Sequence, residues 1–561
     1  MSTLFENAAY RLTLAQGGRR IDLGPPGGGR WLTLSLLAAL DRTDGVDETL
    51  AVSAPKVDGD TIVVERHSTV WEDARLELRC LPASVEIRTV VRGRGDLAAV
   101  RLLGGRSLIP GAPLGLVSSG TDLSALFCPN PEDLLAPVRH VREGAAIGVV
   151  GDGEPGRERW LFTPAPLYLA FGDRRGGAGW VDLAVAAPVE ELRFGELRCD
   201  AHALGFSLAL DYDGHTRVDG EFRAPTLVLT PGVADPYAGL RRHRDDLVAR
   251  GLAPAPSARR QAGWWLEPIF CGWGEQSHLE RVSGGLARDY ATQACYDRFL
   301  AVLEEHGVEP GIVVLDDKWQ ATYGRNEPDT AKWPDLKGWI EASHARGRHV
   351  LLWWKAWDPE GLDPELCIRN PDGAPVALDP SNPAAREELR RIVHGLLSAS
   401  GLDADGFKVD FTGRTPAGRA LTHAGGAWGI ALLHELLDVV YAAAKEAKPD
   451  ALVMTHTPHP SFADVTDMIR LNDMMHGEIV PQMAFRADVV RAALPELPID
   501  TDDWRIPDKQ SWRAFLEEKL EIGVPSLYYA SHLDATGEAL DDDDYAAVRR
   551  VWASWRQERV S

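Results

Sequence analysis

The residues of this chain best equipped for chemistry are carboxylates, and they recur at the ends of short apolar runs. Asp316 and Asp317 close GIVVLDD at 311–317, and Lys408 and Asp410 lie in GFKVDF at 406–411. Arg470 and Asp473 lie in DMIRLND at 467–473, and Asp500, Asp502 and Asp503 in LPIDTDD at 497–503. Trp273, Trp319, Trp354, Lys355, Trp357, His456 and Trp504 stand at the ends of the same or neighbouring runs. A single polar strand end is ordinarily a helix N-cap or a solvated loop start. So many together argue for one shared rim. The inventory suits cleavage of a glycosidic bond, which needs two carboxyl groups flanking the anomeric carbon, one ionised and one protonated. Asp, Lys, Arg and Asn side chains would hold hydroxyl groups, and aromatic rings would cover the apolar faces of a sugar. Of 18 tryptophans, 14 lie from Trp264 onward.

The elements that must position these residues are eight short strands. They are read at 263–270, 311–317, 349–355, 406–411, 451–456, 467–473, 497–503 and 524–530, with helical stretches such as Ala385–Leu397 and Ile430–Ala447 between them. Strands alternating with helices predict repeated βα units, and about 250 residues make a (β/α)₈ TIM barrel. In such barrels the carboxyl ends of the strands carry the site. Residues 1–235 have a different rhythm, of short alternating runs punctuated by Gly, Pro and Asp, which predicts an antiparallel β-sandwich. The expected fold class is therefore multidomain, β followed by α/β. Its parts are a sandwich over 1–235, a helix and linker over 236–260 with the boundary near Pro254–Gln261, a barrel over 261–535 and a C-terminal helix over 536–561, centred on Asp544–Arg556.

Bulk properties narrow the partners. With 60 Lys and Arg against 83 Asp and Glu, the net charge is −23, which disfavours nucleic acid and anionic membranes as partners. No apolar run approaches the roughly 20 residues that cross a bilayer. The opening MSTLFENAAYRLTLAQGG has no basic segment followed by an apolar one, so a cytoplasmic location is expected. Six scattered cysteines without a CxxC pair are expected to be reduced core thiols. No Walker loop or GxGxxG lies between strand and helix, so no nucleotide cofactor is implied. The expected partner is a small-molecule carbohydrate, with no cofactor and no metal, and a homo-oligomer is left open.

The stretch Asp405-Gly-Phe-Lys408-Val-Asp410-Phe, preceded by Leu378-Asp379-Pro380 and Asn382-Pro383, resembles the retaining α-glycosidase clan of glycoside hydrolase families 27, 31 and 36. Leu315-Asp316-Asp317-Lys-Trp319 looks like the paired-Asp element of family 36 α-galactosidases and raffinose synthase-like proteins. The resemblance implies a retaining α-glycoside hydrolase of α-galactosidase-like specificity, with Asp410 as nucleophile and Asp473 as acid/base. Asp502 and Asp503 are the alternatives for the acid/base. Asp316, Asp317, Lys408, Arg470, Trp273, Trp319, Trp354, Lys355, His456 and Trp504 are the candidates for substrate binding. The chain departs from family 36 in three ways. Thr455-His-Thr-Pro-His459 replaces a Cys- and Gly-rich element after strand five, Arg470-Leu-Asn-Asp473 surrounds the acid/base, and the C-terminal β-domain is missing. The rival readings are a raffinose synthase-type transglycosidase, an α-glucosidase- or α-xylosidase-like specificity, a non-catalytic sugar-binding barrel, and a metal-dependent hydrolase using His456, His459 and His476 beside Asp473.

Overall fold

A computed structural model describes residues 2–15, 20–109, 116–117, 123–130, 137–151, 161–172, 179–202, 205–256, 261–474 and 477–558. Part of the expected linker, 257–260, and His476 lie outside the described residues.

The first part of the chain is antiparallel sheet. Ser2–Glu6, Arg11–Leu14, Arg20–Gly24 and Leu32–Ser35 form one four-stranded sheet. A 16-stranded sheet is built around two 19-residue strands, Val85–Leu103 and Gly205–Arg223, which pair antiparallel along most of their length. Thr61–Ser68 and Asp73–Cys80 alternate strictly between buried and more exposed residues, as strands with one face on a core must. Asp235 then caps the helix Pro236–Ala249, its carboxylate accepting from the Ala238 N–H at 2.9 Å.

Eight parallel strands follow, labelled here in chain order: β1 (Ile269–Cys271), β2 (Ile312–Leu315), β3 (His349–Lys355), β4 (Gly406–Asp410), β5 (Leu452–Thr455), β6 (Met468–Arg470), β7 (Ile499–Asp500) and β8 (Ser526–Leu527). Each pairs with the next up to β7, and β8 pairs with β1. A parallel bridge between Asp500 and Val524 brings the two ends of the sheet together into a nearly closed barrel. The strands are shorter than the apolar runs suggest. Gly263–Leu266 winds into a 3₁₀ turn, so only Ile269–Cys271 pairs as β1, and DMIRLND and LPIDTDD are strand only up to Arg470 and Asp500. The polar tails of those runs leave the ladder, and their side chains bond elsewhere in the protein: Asp473 and Asp502 to Arg470, Asn472 to the Leu161 carbonyl and Asp503 to Lys519.

Helices cover the barrel. Pro383–Leu397 starts with Asn382 as cap and Pro at its first position, and buries Leu389, Ile392, Val393, Leu396 and Leu397 at helical spacing. Gly429–Ala447 has no side-chain cap. The N–H groups of Ile430 and Ala431 instead donate to the carbonyls of Phe194 and Leu192, 3.0 Å each, in the preceding sheet region. Gly429, at φ +56, sits so close to the Phe194 carbonyl that no Cβ would fit. One buried apolar cluster accordingly runs from Tyr10 in the sheets to Trp552 in the last helix, Asp542–Glu558. All six cysteines are free thiols.

The closing turn of the barrel rests on a buried ion pair. Asp503 accepts from Lys519 Nζ at 2.5 Å and from the Tyr528 N–H at 3.1 Å, and both charged side chains are fully buried. Lys519→Ala strands a buried carboxylate and should cost about 3–5 kcal/mol in urea unfolding. A loss below about 1 kcal/mol would show that the pair does not hold this turn. Lys519→Met combined with Asp503→Leu should recover most of the loss.

Candidate active site

At the carboxyl ends of the strands lies a cavity of about 290 Å³, lined by Leu161, Trp273, Asp316, Asp317, Trp353, Lys408, Asp410, Phe411, Gly413, Arg414, His456, Asn472, Asp473 and Trp504. That is the small end of the range for ligand pockets, about 300–1,000 Å³. A larger cavity of about 760 Å³ lies over the long N-terminal strands, among Arg88, Tyr212 and Glu221, and holds none of these carboxylates.

One backbone device recurs around the rim. The Oδ1 atoms of Asp316, Asp410, Asn472 and Asp502 each accept from the N–H of the next residue, at 2.8, 2.8, 2.9 and 2.8 Å. Non-glycine residues with positive φ stand at or shortly after these side chains, Lys318, Phe411, Asn472 and Asp502 at φ +72, +59, +69 and +55, and Trp357 follows β3 at φ +73. Such backbone costs of order 1–3 kcal/mol per residue and persists where surrounding bonds over-determine it. Here the bond to the following N–H fixes Oδ1 of each Asp and leaves Oδ2 to meet other groups.

Two buried cations receive those groups. Lys408 Nζ lies 2.6 Å from Asp316 Oδ2, to which the Cys271 thiol also donates at 3.0 Å. The sequence sets Lys408 beside Asp410. In the structure its long side chain reaches across the barrel to β2 instead. The cation that meets Asp410 is Arg470, whose guanidinium is 1% exposed. Its NH1 faces Asp410 Oδ2 at 3.2 Å, its NH2 lies 2.9 Å from both Asp473 Oδ1 and Asp502 Oδ2, and its Nε donates to Asp502 Oδ2 at 3.0 Å. Trp353 Nε1 donates to Asp410 Oδ2 at 3.1 Å.

Burial and charge set the carboxyl groups apart. Burial pushes Asp410 upward, but the buried cations, Arg470 foremost and Lys408 with it, outweigh it and hold Asp410 well below the usual carboxylate range. Burial pushes Asp473 up to about 7; Arg470 opposes this, while the negative charges of Asp502 and Asp410 reinforce it. Both keep access to the cavity, with 22% and 29% of their side chains exposed, whereas Asp502 has none. Burial likewise raises Asp317 to about 6, although Tyr323 donates to its Oδ1 at 2.7 Å.

The remaining candidates divide. Trp273 and Trp504 meet edge to face across the cavity, ring centres 5.7 Å apart at 72°. His456 Nε2 shares a 2.5 Å hydrogen bond with Thr412, and burial lowers its pKa to about 4, so the ring is neutral. Trp319 is wholly buried, donating to the Trp353 carbonyl at 2.8 Å. Trp354 faces away from the cavity onto Phe407, and Lys355 pairs with Asp358 at 2.7 Å beside the Tyr323 ring. Asp503 points to Lys519. His459 accepts from the Ser461 N–H at 3.1 Å, and among the described residues no group of three His, Cys, Asp or Glu is placed to hold a metal ion.

Several lining residues were not singled out from the sequence. Trp353 and Phe411 flank residues that were, Arg414 lies four residues past Asp410, and strand parity alone puts Trp353 rather than Trp354 on the face of Lys355. Leu161 comes from the N-terminal region; its carbonyl accepts from Asn472 Nδ2 at 2.6 Å, and the Thr163 N–H donates to the His456 carbonyl at 3.0 Å. No signal within a single segment could have found Leu161.

No protein-family model and no curated protein matches this chain. Solved structures do. An α-galactosidase from Thermus thermophilus, in complex with p-nitrophenyl α-D-galactopyranoside, is 16% identical with a TM-score of 0.53, over 86% of this chain and 92% of that one. A family 31 sulfoquinovosidase from E. rectale, in complex with an aza-sugar inhibitor, is 12% identical with a TM-score of 0.59, over 99% and 83%. A cycloalternan-forming enzyme from Listeria monocytogenes is 11% identical with a TM-score of 0.56, over 96% and 57%. The chain shares the fold of these enzymes, which are of the kinds its strand-four motif resembles.

The two cavity-facing carboxyl groups on Arg470 should titrate far apart. Carboxyl-carbon NMR of aspartate-labelled protein, assigned with Asp473→Asn and Asp410→Asn, should show Asp473 titrating near 7 while Asp410 stays ionised below the usual carboxylate range. An Asp473 value near 4 would mean that Arg470 outweighs burial there.

Proposed function

We propose that this protein is a retaining α-glycoside hydrolase of the family 27, 31 and 36 kind, acting on a small carbohydrate without a cofactor. The observation that carries this reading is a pair of cavity-facing carboxyl groups on one guanidinium, which burial and charge push in opposite directions, Asp410 downward and Asp473 upward. In the first step an Asp410 carboxylate oxygen attacks the anomeric carbon. The bond to the leaving oxygen breaks, and the Asp473 proton passes to that oxygen. In the second step Asp473, now a carboxylate, takes a proton from water. The water oxygen attacks the anomeric carbon and releases Asp410.

The pocket walls supply the recognition. Asp316, Asp317 and Lys408 hold hydroxyl groups of the bound ring, while Trp273 and Trp504 cover its apolar edge. A cavity of about 290 Å³ suits one terminal sugar, and an α-galactoside is the first substrate to try, in view of the paired carboxylates after β2. Transglycosylation remains the second reading, favoured by the likeness to a cycloalternan-forming enzyme. It uses the same two carboxyl groups with a sugar hydroxyl in place of water. The same proposal takes 1–235 as a β-sandwich, 236–260 as helix and linker, 261–535 as the catalytic barrel and 536–561 as a terminal helix, in a cytoplasmic protein.

Asp410→Asn should lower kcat at least about 10³-fold on an α-glycoside, within the rate enhancement of 10⁶-fold or more that enzymes supply, with the fold intact by circular dichroism. Retention of activity within about tenfold of wild type would exclude Asp410 as nucleophile. Asp473→Ala should still form a glycosyl-enzyme from an aryl glycoside whose leaving group needs no proton, stall at hydrolysis, and regain turnover with azide.

The pH profile follows from the same pair. Turnover needs Asp410 ionised and Asp473 protonated. The depressed Asp410 puts the acid limb of kcat/KM below the ordinary carboxylate range, and Asp473 puts the basic limb near about 7. A plateau extending above pH 9 would remove Asp473 from the acid role.

A further inference from the structure

Arg470 presents a difficulty to the acid role. A guanidinium 2.9 Å from a carboxylate favours the ionised form, yet a general acid must carry its proton. The third carboxylate on that guanidinium, Asp502, has no place in the reaction as drawn. It is fully buried, does not line the cavity, and takes two contacts from Arg470, from Nε at 3.0 Å and NH2 at 2.9 Å. Its other oxygen is committed to the Asp503 N–H at 2.8 Å, and its own N–H donates to Asp500 Oδ1 at 3.1 Å. It is therefore clamped on the face of Arg470 away from substrate.

On this geometry, and resting on the hydrolase reading above, we infer that Asp502 is a positioning residue that occupies the charge of Arg470 so that Asp473 can carry the catalytic proton. The other charged groups around Asp473 leave this task to Asp502. Asp410 meets the same guanidinium through NH1, but more loosely, at 3.2 Å, and its charge is consumed when it bonds to the sugar. Lys408 on β4 is neutralised by Asp316 at 2.6 Å. Arg486, from the helix after β6, donates to the backbone carbonyls of Leu471, Asn472 and Asp473 and not to the Asp473 carboxyl. His456 on β5 is neutral across the cavity. Once the glycosyl-enzyme forms and Asp410 is uncharged, Asp502 shares Arg470 with the newly ionised Asp473, so that Asp473 is not the sole counter-charge while it acts as base.

The test is Asp502→Asn, which keeps the shape but removes the charge and one of the two acceptors, so that its amide N–H faces either Arg470 or the Asp503 N–H. With Arg470 less compensated, the ionised form of Asp473 gains. The basic limb of kcat/KM on an unactivated α-glycoside should move to lower pH by about one unit or more, and activity at pH 7 should fall about fivefold or more. Formation of the glycosyl-enzyme from an activated aryl glycoside, which needs no proton, should stay within about threefold of wild type. Asp502→Glu, which restores the charge, should return the limb toward its wild-type position. Asp502→Ser repeats the measurement should the Asn variant fail to fold. An unmoved basic limb, with both substrates slowed equally, would overturn the inference and leave Asp502 a structural ion pair. Failure of the hydrolase reading is separately visible, because wild-type protein would then give no glycosyl-enzyme at Asp410.

Discussion

Two cations buried at the mouth of the barrel set the terms for everything around them. Lys408 and Arg470 are 3% and 1% exposed, and a buried charge costs several kcal/mol unless partners and hydrogen bonds compensate it. Asp316 answers Lys408, and Asp410, Asp473 and Asp502 answer Arg470. These partners come from the ends of β2, β4, β6 and β7, and the Lys408–Asp316 and Arg470–Asp410 pairs tie together strands that are not neighbours in the sheet. The ring of charge holds the mouth in shape, and burial together with the same ring shifts two neighbouring carboxyl groups in opposite directions, Asp473 up and Asp410 down. A hydrophobic mouth of equal volume could be as stable, but it would have no reactive group to offer.

The backbone pays for this arrangement locally. Asn472 and Asp502 adopt left-handed backbone themselves, and Phe411 and Lys318 do so just after the carboxylates of β4 and β2. At Phe411, Asn472 and Asp502 the preceding or same residue takes the next N–H on its Oδ1, and Asp316 does so two residues before Lys318. β6, β7 and β8 have only three, two and two residues, and the chain beyond them is organised by side chains. The strain is spread over several turns, and none of them could relax without releasing a carboxylate from its cation.

Much of this was legible because strand ends are local. The runs ending in Asp316-Asp317, Lys408-Val-Asp410, Arg470-Leu-Asn472-Asp473 and Asp502-Asp503 identify the rim from residue type alone, and Pro383–Leu397 and Gly429–Ala447 follow their apolar spacing closely. Less legible was which charge meets which. Lys408 and Asp410 share a face two residues apart, so the sequence pairs them; a lysine side chain is long enough to cross to Asp316 instead. Trp354 and Trp319 illustrate a second limit. Both are aromatic residues at strand ends, yet one turns outward onto Phe407 and the other is packed beneath Trp353, because period-two alternation and packing decide the face. Asp503 reads like its neighbour Asp502 and faces the opposite way, toward a lysine 16 residues on.

What no local reading could supply is the part played by the N-terminal sheets. The Leu161 carbonyl takes the Asn472 amide, the Thr163 N–H takes the His456 carbonyl, and the Gly151 N–H takes the Gly413 carbonyl, 3.1 Å away. Asn472 holds the Asp473 N–H, and Thr412 and His456 stand beside Asp410, so each of these bonds ends one step from a carboxyl group in the cavity. The first turn of Gly429–Ala447 is capped by carbonyls of the same region. Without it, polar groups at the barrel mouth would face water or go unpaired, and the geometry that separates Asp410 from Asp473 would have no fixed reference. The sheets and the barrel therefore form one structural unit at the site. The first half of the chain acts there as a buried shell that sets the polar environment of the carboxyl groups, rather than as an appended module.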